Sequence, residues 1–141
     1  MDIERAIQIA ADAHRGQKDK MGQPYILHSL RVMAACSSEA ERIVAVLHDV
    51  VEDSEWTLDA LRQEGLSGDL VAAVDAMTRR AGETYADLVD RAARNPIARA
   101  VKIADLRDNL DASRLVDSTD ADQQRARKYS EALNMLGLPS D

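Results

Sequence analysis

The sequence predicts a single all-α domain, a helical bundle of about seven or eight helices over residues 1–141. Three observations lead there. The chain is rich in alanine and leucine but holds no Phe, one Trp and three Tyr, a composition that favours packed helices over sheets. Its apolar residues recur at helical spacing in almost every segment. A chain of 141 residues is long enough to bury a core without disulfides, and its single cysteine, Cys36, supplies none.

Each element has its own signal. Ile3, Ile7, Ala10, Ala11 and His14 share one face of a helix over residues 2–14. Arg15 to Gln23, with two glycines and several charges, reads as a loop. Pro24 suits the first turn of a second helix ending near Cys36. Ser38 and Glu41 resemble a capping box for a third helix that continues past Leu47. Thr57 caps a short helix stopped at Gly65. Leu70, Val71, Val74 and Met77 form the inner face of the next. Thr84 with Asp87 opens another, and Asn95-Pro96 starts one carrying Ile97, Val101, Ala104 and Leu110. A terminal helix runs from about 119 to 136 and stops at Gly137.

Charge and cysteine content narrow the function classes. With 18 basic and 25 acidic residues the net charge is −7, which disfavours a general nucleic-acid surface. No apolar run is long enough for a membrane span, and the start Met1-Asp2-Ile3-Glu4-Arg5 lacks a signal-peptide layout. A lone cysteine suits a reducing compartment, so the expected location is the cytoplasm. A homo-oligomer stays open.

The candidate chemistry starts at His48-Asp49-Val50-Val51-Glu52-Asp53. On one continuous helix these four polar groups would lie on adjoining parts of a face. Clustered acids repel unless a cation compensates them. The plain alternative is a solvated, charged helix end. Two further places weigh against it. His28 follows Pro24-Tyr25-Ile26-Leu27 on an early helix. Asp105 sits between Ile103, Ala104 and Leu106, a poor setting for an unpartnered charge, and Asn109 follows four residues later.

These segments, together with Ala13-His14-Arg15-Gly16-Gln17, resemble in sequence order the HD-domain metal-dependent phosphohydrolases. The resemblance is nearest to the hydrolase domain of RelA/SpoT-type enzymes and to small alarmone hydrolases, and it covers about residues 2–115, with 119–136 as a terminal helix. It implies an HD-type helical bundle. It also implies one divalent ion, most often Mn2+, held by His28, His48, Asp49 and Asp105. By the same resemblance Glu52 and Asp53 activate or place the attacking water, Asn109 helps hold the nucleotide, and Lys20 matches a basic position. The implied reaction is hydrolysis of the 3′-pyrophosphate of an alarmone such as ppGpp, with no nucleic-acid or membrane partner. Independently of the family, two imidazoles and two carboxylates suit manganese, iron or zinc.

The chain departs from the guanine-alarmone pattern in three places. Asp19 stands where relatives carry an Arg that lies against the base, Asp111-Ala112 replaces a usual Arg-Thr, and Ser29 replaces a usual Pro. A guanidinium stacks on a purine and a carboxylate does not, so the base-reading wall is expected to differ. An HD phosphohydrolase for another nucleotide, adenine alarmones included, or for a phosphoester is the alternative. A non-catalytic nucleotide-sensing module is the alternative of another class. Tyr25 is read as site wall with a polar tip, His14 as a buried structural residue, Cys36 as core. Arg15, Lys18, Lys102, Arg79 and Arg80 are candidate phosphate cations. Trp56 either covers the cleft or packs on the next helix.

Overall fold

The structure is a computed structural model, and it describes residues 1–115 and 119–138. Among these residues nine helical segments occur: α1 (Ile3–Ala13), α2 (Ile26–Ala34), α3 (Glu39–Leu47), α4 (Val50–Asp53), α5 (Leu58–Gln63), α6 (Gly68–Met77), α7 (Tyr85–Ala93), α8 (Pro96–Leu115) and α9 (Asp120–Met135). Eight are the expected helices. The ninth, α4, is a four-residue turn split from α3.

Most boundaries follow from capping. Asp2, Thr57, Thr84 and Thr119 each accept a backbone N–H from the first turn of their helix. Thr84–Asp87 and Thr119–Asp122 form complete capping boxes. Ser38 forms half of one: it caps Glu41, but the Glu41 carboxylate turns back to Ser37. Asn95 Oδ1 accepts from the N–H groups of Ile97 and Ala98, with Pro96 at the first helical position. Gly65 and Gly137 follow α5 and α9 with φ of 98° and 78°, backbone that a side chain resists.

Three expectations are corrected. Helix α2 starts at Ile26 rather than at Pro24. The Tyr25 N–H is donated to the Gln17 carbonyl at 2.9 Å, and Lys18 pairs with Pro24 in a short antiparallel bridge, so this stretch closes the preceding loop. On α1 the fully covered positions include Ala6 and Ile9, while Ala11 is exposed, so the buried face is rotated from the one expected. The third helix does not run through to Asp53. It breaks at His48 and Asp49, because the His48 imidazole takes the Ala45 carbonyl at 2.5 Å and so competes with continued helical hydrogen bonding there.

Two hydrophobic clusters hold the helices. The larger joins α1, α2, α3, α5 and α6 to the first half of α8 through Ala98, Val101 and Ala104. Its centre is α3, where Val44, Ala45, Val46 and Leu47 are covered on all sides, as a helix in the middle of a bundle requires. The smaller cluster joins Val89 of α7, Leu106 and Leu110 of α8, and Ala132, Leu133 and Leu136 of α9. Helix α8 therefore passes from one core into the other, packing on α2, α3, α6, α7 and α9. Trp56 packs against the larger cluster, and Cys36 is buried within it. No helix among the described residues is long and apolar enough to cross a membrane.

Leu106 is fully covered where α8 enters the smaller cluster. Leu106→Ala is expected to destabilise the fold by about 2–5 kcal/mol, read as a lowered urea midpoint, because a cavity there is hemmed in by three helices.

Candidate metal centre and its cleft

Three stretches of chain, α2, the α3–α4 junction and α8, converge on one buried point. His28 lies in the first turn of α2, His48 caps the end of α3, Asp49 begins α4, and Asp105 sits midway along α8. One donor atom from each lies within 4.8 Å of all the others. Asp105 Oδ1 is the common neighbour, 3.0 Å from His28 Nε2 and 3.2 Å from His48 Nε2. Asp49 Oδ2 stands 3.0 Å from His48 Nε2 and accepts the Tyr25 hydroxyl at 2.5 Å. His28, His48 and Asp105 are only 4 %, 2 % and 5 % exposed, so water does little to soften their charges.

The other ring nitrogens decide whether this set fits a cation. His48 Nδ1 faces the Ala45 carbonyl, which can only accept, and His28 Nδ1 faces Asp108 Oδ2 at 2.6 Å, an ionised acceptor. Both Nδ1 atoms therefore carry hydrogen. In the neutral rings, each Nε2 then points a lone pair at a carboxylate oxygen. Lone pairs meeting at about 3 Å repel unless something positive lies between them, and a divalent ion shared by all four donors meets that need. The residues present fit such an ion.

The titration behaviour expresses the same demand. Burial opposes a charge on His28, but its contacts with Asp105 and Asp108 outweigh it and push the imidazole up to about 9. Burial likewise opposes charge on His48, and the Asp49 and Asp105 carboxylates drive it well above the usual histidine range. Asp49 is held down at about 2 against its burial by His48 and Tyr25. Asp105, fully desolvated, is held well below the carboxylate range by Lys102 and both histidines. Lys102 is 7 % exposed, donates to Asp105 Oδ2 at 3.1 Å, and lies 5.1 Å from the centre of the Tyr85 ring.

Two clefts open beside this centre and share Tyr25, Asn109 and Tyr129 as a dividing wall. The first, of ≈ 280 Å³, is lined by three of the four donors, His48, Asp49 and Asp105, together with Glu52 and three cations: Arg79, Lys102 and Lys128. The second, of ≈ 340 Å³, is bounded by loop residues Gln17 to Met21, by His28 and Arg31, and by Asp122 and Arg125 of α9. Expected site residues distribute between them. Lys20 and Asp19 line the second cleft. Asp19 Oδ1, however, accepts the N–H groups of Met21 and Gln23, both at 2.9 Å, so one of its oxygens holds the loop turn. Asn109 Nδ2 donates to Asp105 Oδ1 at 3.3 Å.

Glu52 and Asp53 do not share a face with each other, which corrects the single-helix expectation. Glu52 Oε1 accepts the Arg79 N–H on the cluster's side, whereas Asp53 Oδ2 accepts Gln17 Nε2 at 3.1 Å. They are neighbours on α4, so their side chains leave the helix about 100° apart. His14 is buried, bonds Gln17 through Nδ1 at 2.9 Å, and stands outside the donor cluster, as expected for a structural residue. Of the candidate cations, Arg80 pairs instead with Asp75 at 3.0 Å.

Sequence reasoning missed three contributors. Asp108 supports His28 and is itself gripped by Arg31 Nε and Nη2 at 2.8 and 3.1 Å. Helix α9 supplies Asp122, Arg125, Lys128 and Tyr129 to the clefts, where only a packing helix had been expected. Asp108 was findable: Asp105 and Asp108 are one helical turn apart, as are His28 and Arg31, so two facing helices can pair twice. Nothing local in residues 119–136 marks α9 as part of a site.

An all-α bundle with histidine and aspartate converging from three helices defines a class of metal-binding helical domains. The chain belongs to the HD-domain family, whose profile matches residues 6–134. It is similar to a GTP pyrophosphokinase of Streptomyces coelicolor, 33% identical over 154 aligned positions that cover 96% of this chain and 18% of that protein. A guanosine-3′,5′-bis(diphosphate) 3′-pyrophosphohydrolase of Aquifex aeolicus is 32% identical over 122 positions, 77% of this chain and 17% of that protein. The chain thus spans under a fifth of the length of these relatives. Among solved structures it resembles a metazoan ortholog of SpoT that hydrolyzes ppGpp, with a TM-score of 0.75 and 26% identity over 93% of this chain and 84% of that one.

The donor set predicts one divalent ion per chain. Elemental analysis after dialysis should find it in the parent protein and find it reduced to background in His48→Ala, with helicity by circular dichroism retained.

Proposed function

We propose that this chain is a metal-dependent phosphohydrolase that removes the 3′-pyrophosphate of a (p)ppGpp-like alarmone. The observation that carries the reading is the four-donor cluster, three of whose members line a cleft that also holds the Glu52 carboxylate and three cations. The kinship with ppGpp hydrolases supports the substrate class.

His28, His48, Asp49 and Asp105 would hold the ion, and the mixed imidazole–carboxylate set suits Mn2+. When bound, such an ion supplies Lewis-acid polarisation of a phosphoryl oxygen and eases deprotonation of water. Glu52, anchored through Oε1 to the Arg79 N–H, offers its second oxygen as general base to the attacking water. The water oxygen bonds to the 3′-linked phosphorus, the bond from that phosphorus to the 3′ oxygen breaks, the 3′ oxygen takes up a proton, and pyrophosphate leaves. Arg79, Lys102 and Lys128 balance the phosphate charge there. Asp53 acts one step removed, holding Gln17 at the cleft rim. Tyr25 and Asn109 form the wall against which the nucleotide rests, and Lys20 in the second cleft meets a further phosphate. Residues 1–141 would act as one hydrolase unit, working in the cytoplasm, where Cys36 stays reduced.

Asp19 favours a second reading for the base. A carboxylate in the second cleft does not stack on a purine, and its Oδ2 can accept a hydrogen bond from an exocyclic amine, which adenine carries at C6 and guanine at C2, so the wall has no stacking preference for guanine.

A panel of guanine and adenine alarmones incubated with enzyme and Mn2+, with products identified by mass, tests both. Pyrophosphate release is expected; no release from any alarmone overturns the proposed activity, and a strong guanine preference overturns the reading of Asp19. Glu52→Gln should retain the ion yet lose turnover by about 10²–10⁴-fold, the range for a general base. Near-normal turnover would remove Glu52 from proton transfer.

A further inference from the structure

The two candidate ligand histidines are supported in chemically different ways. His48 donates its Nδ1–H to a backbone carbonyl, a neutral acceptor inside its own helix end. His28 donates to Asp108 Oδ2 at 2.6 Å, across the seam between α2 and α8. Asp108 is not left to move. Arg31, one turn beyond His28 on α2, grips both of its oxygens, at 2.8 Å from Nε to Oδ1 and 3.1 Å from Nη2 to Oδ2. Asp105 and Asp108 are likewise one turn apart on α8, so the helices meet in a four-residue frame in which an aspartate faces each ring nitrogen of His28. The Asp108 side chain is 16 % exposed, and the Arg31 side chain is 48 % exposed. The guanidinium is the water-facing edge of the frame, and the imidazole is its dry interior.

We infer that Asp108, clamped by Arg31, is a positioning residue that fixes the Nδ1–H tautomer and ring plane of His28 and strengthens its Nε2 as a metal ligand. The inference rests on the metal reading of the donor cluster. A carboxylate behind a histidine raises the basicity of the nitrogen opposite and blocks ring rotation, and loss of such a partner weakens metal binding by about 10–100-fold. His48 needs no such partner, because its ring is pinned within its own chain turn. His28 stands in the first turn of α2, next to the loop that lines the second cleft, and both of its ring nitrogens face carboxylates of α8. The pairing is bidentate, so Arg31 also keeps Asp108 from rotating toward solvent.

The test is Mn2+ affinity by competition with a chromophoric chelator, with no substrate present. Asp108→Asn keeps the shape and an acceptor oxygen but removes the charge. It is expected to weaken binding about tenfold or more with the melting temperature of the metal-free protein little changed. Arg31→Gln is expected to lie between the parent and Asp108→Asn, and Asp108→Glu to recover part of the loss. Nitrogen-15 NMR of the imidazoles in the Zn2+-loaded parent, which needs no variant, should report His28 protonated at Nδ1. Binding by Asp108→Asn within twofold of the parent, or a His28 ring protonated at Nε2, overturns this inference while leaving the metal reading intact. No divalent-ion binding by the parent protein overturns both. Tight binding by the parent without alarmone turnover leaves the role of Asp108 standing and removes only the proposed reaction.

Discussion

The ionised carboxylate of Asp105, buried in the middle of the longest helix, is the constraint from which the architecture follows. A charge taken from water into a protein interior costs several kcal/mol unless partners replace the lost hydration. Asp105 has His28 and His48 on Oδ1, Lys102 on Oδ2 and Asn109 from the next turn. The histidines face Oδ1 through Nε2, where a shared ion or a proton on the ring makes the contact favourable, so compensating this carboxylate requires α2, α3 and α8 to meet here. The hydrophobic clusters supply the packing energy, but they are non-directional; the buried carboxylate is what demands one arrangement of histidines around it.

The two cores and the site have a definite spatial logic. One cluster packs around α3 and the other around the contact of α8 with α7 and α9. Polar groups are tolerated where the clusters adjoin, because His28, His48, Asp105 and Lys102 face one another and the site opens to solvent through the clefts. The same junction explains how an acidic protein can handle a polyanion. The net charge of −7 belongs to the whole chain, whereas Arg79, Lys102 and Lys128 stand together beside the donor cluster. Local field, rather than net charge, governs what enters a cleft.

Much of this was legible in the residues because it is written in local chemistry. Caps at Thr57, Thr84, Asn95 and Thr119 mark helix starts whatever the tertiary context. His28, His48, Asp49 and Asp105 stand out because apolar neighbours make polar side chains conspicuous, and the structure brings all four together. What stayed hidden depends on contacts across the chain. The break after Leu47 comes from an imidazole bonding its own helix carbonyl, which periodicity cannot register. The turn at Asp19 exists because its carboxylate closes on Met21 and Gln23. The share of α9 in the clefts depends on how Leu133 and Leu136 seat it against α8, a matter of packing without a local motif.

Lys102, Asp105 and the adjacent pair Asp108 and Asn109 occupy three successive turns of α8. That helix is packed into one core through Val101 and into the other through Leu110, so it serves as a ruler with its gradations set by the helical rise of about 1.5 Å per residue. One inserted or deleted residue between positions 102 and 109 would rotate everything beyond it by roughly 100°. It would carry the frame around His28 and the Asn109 wall out of register together. Length change in this stretch is therefore forbidden in a way that length change in the loop of residues 15–23 is not. Chemical novelty in such a protein has to come by substitution along α8 and by remodelling of the loop.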